Sequence, residues 1–284
     1  MSDFSTRAIM PTGHNPVLER RTVDNANQNL LKYLKPGISV LDVGCGTGAI
    51  TRSIAEKVGP TGRVLGLDPN ANLVEQARQN VVDVLGISFE QGDVYAWDTE
   101  EQFDLVTCAR TLQWLTQPEA ALRKMKQWVK PGGHLAILDF NHEKIVWTPE
   151  PPAAMRLFYD AFLQWRQDAG FDNAIADHVS TLMQQIGFEQ IHVESQLETT
   201  HRDNPNFTVD ARLWAEVAEL RGPQLVKAGY ITEVQRLQAI IDYDEWIATA
   251  GKSMVVYLLA IEAQQPVGTT NSKPGAEIGA NCHA

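Results

Sequence analysis

The sequence has few cysteines and no long hydrophobic stretch. Its three cysteines, Cys45, Cys108 and Cys282, are an odd number at wide spacings. Such a set supplies neither a disulfide framework nor a metal cluster, so we expect no metal site and a reducing compartment, the cytoplasm. The longest apolar run, residues 254–261, is eight residues long, whereas a membrane-spanning helix needs about 20. The first 20 residues lack the apolar core of a signal peptide, and we expect no membrane span.

Basic residues are scarce relative to acidic ones. The chain has 24 Lys and Arg against 35 Asp and Glu, a formal net charge of −11. This balance repels phosphate backbones and argues against nucleic acid as a partner. Hydrophobic residues make up 44% of the 284 residues and charged residues 21%, as in a folded globular protein with ample material for a core.

Residues 40–140 alternate short apolar runs with stretches of helical periodicity, which is typical of a parallel α/β sheet. The turn sequence at 130–133 stops one helix before the next strand. The patterns predict strands at 39–43, 63–67, 87–90, 103–107 and 134–140, and helices at 49–58, 70–85 and 118–129.

After residue 140 the pattern changes, beginning with a proline-rich break at 148–152. We expect helices at 153–169, 177–186, 209–220 and 231–250, and strands at 188–197 and 253–263. These elements suggest three parts: an N-terminal helical segment at 1–35, one domain at 36–264 with lid insertions at about 141–176 and 201–250, and a disordered tail at 265–284.

The strongest functional signal is a glycine loop that follows the first strand. Gly44, Gly46 and Gly48 stand at alternate positions between a strand and a helix, with Asp42 just before them. Glycine lets a ligand approach the backbone closely, and the start of the helix carries partial positive charge. The second strand ends in Asp68, where an acid can hold a nucleoside ribose.

The spacing of the glycines separates two kinds of nucleotide site. Dinucleotide-binding loops follow the pattern Gly-x-Gly-x-x-Gly, whereas this loop is Gly-x-Gly-x-Gly and is preceded by an acid. A carboxylate beside the loop repels a pyrophosphate but suits the cationic groups of S-adenosylmethionine. A simple glycine turn between a strand and a helix is the alternative, and the combination with Asp68 argues against it.

The segment VLDVGCGTG at 40–48 resembles the first motif of class I S-adenosylmethionine-dependent methyltransferases. Further motifs follow in the order of that family: GLDPN at 66–70, GDV at 92–94, FDLVTCARTLQWL at 103–115 and KPGG at 130–133. The resemblance covers about residues 12–140 and is greatest to the small-molecule enzymes of the ubiquinone/menaquinone-biosynthesis type. It implies a Rossmann-like, mostly parallel seven-stranded sheet with helices on both faces, and helical lid insertions after the fifth and sixth strands.

The resemblance also implies a set of contacts with the cofactor S-adenosylmethionine. The backbone of the glycine loop would line its methionine part and Asp42 its ammonium group, while Asp68 would bind both ribose hydroxyls. Asp93 would bind the adenine amino group. The remaining candidates are the loop residues Gly44, Cys45 and Gly46, the adenine neighbours Pro69, Asn70 and Val94, the strand-end residues Cys108 and Ala109, the pocket residue Gln113, and Arg21 for the methionine carboxylate.

Several of these residues have a purely structural alternative. Arg21 can equally be a solvated helix residue. Asp93 can be a turn residue after Gly92, and both Cys45 and Cys108 can be small buried groups without thiolate chemistry. Trp114 is more often a core residue than a substrate contact.

The fourth strand bears on the acceptor class. Enzymes that methylate amino groups of bases or glutamine side chains carry Asn/Asp-Pro-Pro-Tyr there, and cytosine C5 enzymes carry Pro-Cys. This chain has neither, with Thr107-Cys108-Ala109-Arg110 in that place. Together with the negative charge, the sequence predicts methyl transfer to a small aromatic or apolar acceptor. A protein or RNA acceptor, non-methyl chemistry on the same fold, and a nicotinamide dehydrogenase remain as alternatives.

Methyl transfer from a sulfonium is an in-line displacement that needs an aligned acceptor in a fairly dry pocket. A hydroxyl acceptor also needs a general base, for which histidine is the usual residue. His142 follows the fifth strand, and His201 follows the sixth. Both are candidate catalytic bases, with a solvated loop histidine as the alternative for each.

Overall fold

The computed structural model describes residue 7 and residues 19–267. Its main sheet has seven strands. Their order in space is β3-β2-β1-β4-β5-β10-β7, with β1 to β5 parallel and β10 antiparallel to both its neighbours. The prediction of a mostly parallel seven-stranded sheet is confirmed. The strands are β1 Ser39–Val43, β2 Arg63–Asp68, β3 Ile87–Gln91, β4 Phe103–Ala109, β5 Val129–Phe140, β7 Glu189–Ser195 and β10 Leu258–Gln264, while β6 Val146–Thr148, β8 Glu198–His201 and β9 Ser253–Val256 form a second sheet.

Ten α-helices flank these sheets in the part of the chain that the structure describes. Alternating residues of the parallel strands face opposite sides: Leu41 and Leu65 pack in one core, and Val40 and Val64 in another. Each side of the sheet is therefore covered by helices, as buried parallel strands require. The helices are α1 Val23–Ala26, α2 Ala49–Val58, α3 Ala71–Asn80, α4 Pro118–Trp128, α5 Ala153–Asp168, α6 Ile175–Gln185, α7 Phe207–Ala211, α8 Leu213–Leu220, α9 Gly222–Lys227 and α10 Glu233–Thr249.

A separate core rich in aromatic side chains lies at the carboxyl end of β5. Phe158 and Phe162 of α5 pack there with Trp214 of α8 and Tyr243 of α10. Phe140, at the end of β5, belongs to the same core. The helical regions predicted as insertions therefore pack against β5 and β10 at one end of the main sheet.

Several predicted elements differ from the observed ones. The predicted strand 253–263 is two strands that belong to different sheets, and the predicted helix 209–220 is broken at Arg212. The predicted turn 130–133 lies inside β5, because Val129 pairs with Phe103 and His134 with Leu105, so the four residues between them bulge out. The helix predicted at 70–85 ends at Asn80, where the β-branched Val81 and Val82 follow.

The ends of the chain are described only in part. Residues 1–6, 8–18 and 268–284 lie outside the described residues, including most of the predicted tail and much of the predicted N-terminal segment. The described part of that segment contains α1, which Thr22 caps, and a 3-10 turn at Gln28–Leu30. Val23 and Leu30 pack against Ile54 of α2, so this segment is fixed to one face of the sheet.

Candidate functional site

The glycine loop between β1 and α2 is tied to the end of β2. The backbone N–H groups of Gly44 and Cys45 both donate to the Leu67 carbonyl, at 2.7 and 3.1 Å. Gly44 has a φ of +77°, and a Cβ added there would overlap the Thr111 side chain. A Cβ added at Gly46 would meet nothing within 4 Å. The loop is therefore closely packed on its protein side and open on the other, as a backbone cradle for a ligand requires.

Asp68 connects this loop to α3. Its Oδ2 accepts a hydrogen bond from the Gly46 N–H and its Oδ1 one from the Asn70 N–H, each at 2.9 Å. The side chain is buried, and desolvation raises its pKa although the two hydrogen bonds oppose the shift. A carboxylate oxygen can accept two hydrogen bonds. Each oxygen of Asp68 thus has capacity for a ribose hydroxyl.

Asp42 is buried and bonded to α2, and its predicted contact with the cofactor ammonium stays a prediction. Its Oδ2 accepts a hydrogen bond from Thr51 Oγ1 of α2 at 2.6 Å, and the residue is 3% exposed. Burial raises the pKa of Asp42 to about 6, although the Thr51 hydrogen bond opposes the shift. Cys45 is buried nearby against Val74 and Phe89, and burial raises the pKa of its thiol. Its packing is that of a small apolar residue without a reactive thiolate.

The predicted adenine neighbours line the ends of β2 and β3. Asn70 is the N-cap of α3, where its side chain accepts a hydrogen bond from the Asn72 N–H. Asp93 is exposed, and its Oδ1 accepts a hydrogen bond from the Tyr95 N–H. Val94 is buried, whereas Pro69 is exposed. The three polar or exposed groups stand at the same sheet edge as Asp68.

The end of β4 holds a buried cation. Cys108 is fully buried, and the Ala109 carbonyl accepts a hydrogen bond from Thr111 Oγ1. Arg110 has a φ of +56°, and its Nη2 donates to the Ala26 carbonyl at 2.8 Å and to Glu198 Oε1 at 2.5 Å.

Arg21 lies close to Arg110 and is partly buried. Its burial and the positive charge of Arg110 lower the pKa of Arg21 to about 9, while Glu198 acts in the opposite direction. The carboxylate of Glu198 therefore pairs with Arg110 and acts electrostatically on Arg21 beside the end of β4.

Gln113 organises the region behind β4. Its side-chain Nε2 donates to the Arg110 carbonyl at 3.0 Å, and its Oε1 lies 2.7 Å from His142 Nε2. Its backbone N–H donates to Asp139 Oδ2, and its carbonyl accepts from Arg166 Nη2 at 2.8 Å. The residue is 3% exposed. Its amide is thus engaged by protein groups, and the predicted cofactor contact of Gln113 stays a prediction.

His142 lies among aromatic rings at the end of β5. Its ring stacks on Phe140, with 5.2 Å between ring centroids, and meets Phe162 and Trp214 edge to face. It is 7% exposed, and burial followed by the charge of Arg166 lowers its pKa well below the ordinary value. The imidazole is therefore neutral at physiological pH.

The structure separates the two candidate bases. His201 is exposed at the end of β8, where it pairs with Ser253. His142 is buried close to the ends of β4 and β5. We therefore retain His142 alone as a candidate base, and its role stays a prediction.

Two further buried charges lie in this region. Arg166 of α5 is fully buried, with its guanidinium over the rings of Trp114 and Phe162. From the sequence, Arg166 could hold an acidic substrate or lie on a solvated helix face, and its burial excludes the solvated face. Asp139 is fully buried near it, and burial raises the pKa of Asp139 to about 6. The sequence analysis missed Asp139, which follows an apolar strand run and could have been found from that position.

The described residues contain no group of three or more His, Cys, Asp or Glu that could hold a metal ion. Within the same residues, no helix has the length and apolar character that crossing a bilayer requires.

Comparisons with known proteins agree with this geometry. The family model described as methyltransferase domain matches residues 34–195. An uncharacterised 37.1 kDa transposon protein of Streptomyces fradiae is 37% identical over 106 residues, which are 36% of this chain and only 30% of that protein. The ubiquinone/menaquinone biosynthesis C-methyltransferase UbiE of Burkholderia orbicola is 29% identical over 203 residues, covering 64% of this chain and 78% of the relative.

Solved structures show the same fold. A phosphoethanolamine N-methyltransferase 2 of Haemonchus contortus, solved with S-adenosyl-L-methionine, has a TM-score of 0.54 and 19% identity, covering 84% of this chain and 52% of that one. The [4+2]-cyclase SpnF has a TM-score of 0.52 and 17% identity, covering 91% of this chain and 88% of that one. At these identities the likeness concerns the fold alone.

Proposed function

This chain belongs to the methyltransferase-domain family, and from that premise we propose that it transfers a methyl group from S-adenosylmethionine to a small aromatic or apolar acceptor. The observation that carries the proposal is the pairing of the open glycine loop with Asp68. One side chain fixes the loop through Gly46 and the start of α3 through Asn70, while its remaining lone pairs are available to a ribose. The relatives named for ubiquinone/menaquinone biosynthesis support an apolar ring as the acceptor.

The residues of this chain fit the cofactor in separate regions. Gly44, Cys45 and Gly46 would hold its methionine part, Asp68 its ribose, and Asp93 its adenine. Arg21 would take the methionine carboxylate, with Arg110 beside it as a second donor. Arg110 Nε and Nη1 are buried without a hydrogen-bond partner, so this corner has unused donors for an anionic group. When bound, the cofactor supplies an electrophilic methyl group on its sulfonium sulfur.

The acceptor would lie against the aromatic core at the ends of β4 and β5. Phe140, Phe162 and Trp214 surround His142 there, and they would exclude water from an apolar ring. A neutral imidazole in this place can accept a hydrogen bond from an acceptor hydroxyl and orient it. The negative net charge of the chain favours a small acceptor over a nucleic acid.

Calorimetry with S-adenosylmethionine, S-adenosylhomocysteine and NAD tests the cofactor part. We expect the first two to bind and NAD not to bind. Asp68→Ala should weaken S-adenosylhomocysteine binding by roughly 10- to 100-fold, because hydrogen bonds to a charged group contribute about 1.5–3 kcal/mol. Asp98→Ala, at a side chain that is 85% exposed, is the matched control and should leave the affinity unchanged. Tight NAD binding would contradict the proposal.

Methyl transfer is tested with labelled S-adenosylmethionine and a cell extract separated into metabolite, protein and RNA fractions. We expect the label to enter the metabolite fraction. Label in the protein or RNA fraction would instead support a macromolecular acceptor. Cofactor binding with no labelled product in any fraction would favour non-methyl chemistry on this fold, for which the cyclase SpnF is a structural precedent.

A further inference from the structure

Several buried polar atoms in and beside the aromatic core have no hydrogen-bond partner, among them the indole N–H groups of Trp214 and Trp246. Two others, His142 Nδ1 and Arg166 Nη1, belong to residues that Gln113 connects. His142 is 7% exposed and Arg166 is fully buried. An unpartnered polar atom in such surroundings costs about 1–3 kcal/mol, and more when it is charged. Each such atom in a folded protein needs an explanation, and a bound polar group is one.

The hydrogen-bond network defines the chemical character of the first atom. Gln113 Nε2 donates to the Arg110 carbonyl, so Gln113 Oε1 is the atom that faces His142 Nε2. An amide oxygen only accepts, and the hydrogen of the neutral imidazole must therefore be on Nε2. His142 Nδ1 is then a lone-pair acceptor without a donor.

The second atom is a donor on a fixed cation. Arg166 Nε donates to Asn173 Oδ1, and Nη2 donates to the Gln113 carbonyl, both at 2.8 Å. The guanidinium carbon lies 4.4 Å from the Trp114 ring centroid and 5.5 Å from that of Phe162. Asp139 and Asp172 act on Arg166 electrostatically, but the hydrogen bonds that Arg166 donates within the described residues go to neutral groups. Its Nη1 is thus a charged donor with no acceptor.

The two atoms belong to one connected arrangement. Gln113 hydrogen-bonds both residues, one through its side chain and the other through its backbone carbonyl. The Phe162 ring also contacts both, at 6.0 Å from the His142 ring centroid and 5.5 Å from the Arg166 guanidinium carbon. The residues that carry the lone-pair acceptor and the charged donor therefore meet at one aromatic ring, that of Phe162.

We propose that His142 and Arg166 form a subsite for one acidic hydroxyl group of the acceptor, of the phenol or enol type. The hydroxyl hydrogen is donated to His142 Nδ1, and the hydroxyl oxygen accepts from Arg166 Nη1. This subsite rests on the proposed function, because it assigns the acceptor side of the same reaction centre. Phe140, Phe162, Trp114 and Trp214 provide apolar contact for the ring or conjugated system that carries the hydroxyl.

Other polar groups fit the two atoms less well. A carboxylate would pair with Arg166 but would direct its lone pairs at the lone pair of His142 Nδ1. An ammonium group would donate to His142 but would be repelled by Arg166. A hydroxyl both donates and accepts, and the guanidinium charge stabilises the oxygen as it becomes more negative. The pair is therefore selective for a hydroxyl over either ionised group.

A series of three small aromatic compounds tests the subsite in the complex of the protein with S-adenosylhomocysteine. The compounds are 4-nitrophenol, 4-nitroanisole, which lacks the hydroxyl hydrogen, and 4-nitrobenzoate. By calorimetry at pH 6, where most 4-nitrophenol keeps its hydroxyl hydrogen, we expect this compound to bind at least tenfold more tightly than either of the others. His142→Phe and Arg166→Met should each abolish most of this preference and leave the affinity for 4-nitroanisole within about threefold.

Matched variants separate the subsite from general effects. Arg156→Met changes an arginine of the same helix whose ion pair with Glu150 is at the surface, and His178→Phe changes an exposed histidine. Both should keep the preference for 4-nitrophenol. If Arg166→Met does not fold, the ranking in the wild type and the effect of His142→Phe still decide.

The outcomes distinguish this inference from the proposed function. If S-adenosylhomocysteine does not bind to the wild type, the proposed function is wrong. If it binds but 4-nitrophenol shows no advantage over 4-nitroanisole, or none of the compounds binds, only the hydroxyl subsite is overturned. Tighter binding of 4-nitrobenzoate would also overturn it, in favour of a carboxylate site.

Discussion

At the scale of single residues, burial decides the chemistry of His142. The side chain stacks on Phe140 and lies within interaction distance of the Arg166 charge. Both features disfavour the imidazolium form, because removal from water and a nearby like charge each destabilise a cation. A solvated histidine has no such bias. The same residue type at position 201 is exposed and lies outside these surroundings.

The depressed pKa of His142 predicts a pH-dependent contribution to folding. In the unfolded chain the residue takes up a proton near its ordinary pKa of 6.5, whereas in the folded protein it stays neutral to much lower pH. Its contribution to stability is therefore present above pH 6.5 and is lost as the pH falls below that value. Relative to His142→Phe, the wild type should lose about 1.4 kcal/mol of unfolding free energy between pH 7.5 and 5.5.

Urea unfolding at a series of pH values measures this difference. His201→Phe removes an exposed histidine and serves as the control for the loss of an imidazole elsewhere in the chain. Parallel profiles for His142→Phe and the wild type would show that His142 can be protonated in the folded protein.

The glycine loop and the end of β2 were easier to predict from the sequence than the buried groups beside the aromatic core. Asp68 and the glycine loop stand in a fixed order along the chain, since a strand, a turn and a helix position them locally. Arg166 is a different case. Its burial depends on Trp114 from another segment and on Asn173 beyond the end of its own helix, and no local pattern encodes these contacts.

At the scale of secondary-structure elements, α10 illustrates how local chemistry fixes a boundary. Thr232 precedes this 17-residue helix and forms a capping box with Gln235: its side chain accepts from the Gln235 N–H, and the Gln235 side chain accepts from the Thr232 N–H. These bonds satisfy two groups that the first turn of a helix otherwise leaves unpaired.

Thr232→Ala should therefore lower the free energy of unfolding by about 1 kcal/mol. Thr249→Ala is the matched control, because Thr249 is an exposed residue in the last turn of the same helix and bonds only to a carbonyl four residues earlier. Its effect should stay within about 0.5 kcal/mol. Chemical unfolding of both variants measures the difference, and equal effects would show that the cap does not stabilise α10.

Sequence patterns predicted isolated elements well and pairing between distant segments poorly. The strand Ser39–Val43 and the helix Ala49–Val58 have the predicted bounds, since hydrophobic periodicity and glycines mark their ends. The segment 253–263 contains the longest apolar run of the chain, at 254–261, which favours one strand. The structure divides it after Val256, because β9 pairs with β6 and β8 while β10 pairs with β5 and β7. Partners this far apart in sequence are set by tertiary structure.

At the scale of the whole molecule, the central strands join the aromatic core to the core of the sheet. On β5, Ile137 packs in the sheet core and Leu138 in the aromatic core. On β10, Ile261 packs in the sheet core and Leu258 in the aromatic core. Because successive side chains of a strand point to opposite faces, neither core can lose its packing without exposing part of these two strands. The helices at the carboxyl end and the sheet therefore form one cooperative unit.

We accordingly predict a single unfolding transition for the residues of both cores. Leu41→Ala, in the sheet core, and Leu225→Ala, in the aromatic core, each truncate a fully buried side chain and should each cost about 2–5 kcal/mol. In scanning calorimetry both variants should move the same transition to lower temperature, with calorimetric and van't Hoff enthalpies that agree. If the helical region were an independent domain, Leu225→Ala would shift one of two transitions and leave the other in place. Hydrogen exchange provides a second measurement. Amides of β1 and of α10 should exchange with the same opening free energy if the two regions unfold together, and with different opening free energies if they unfold separately.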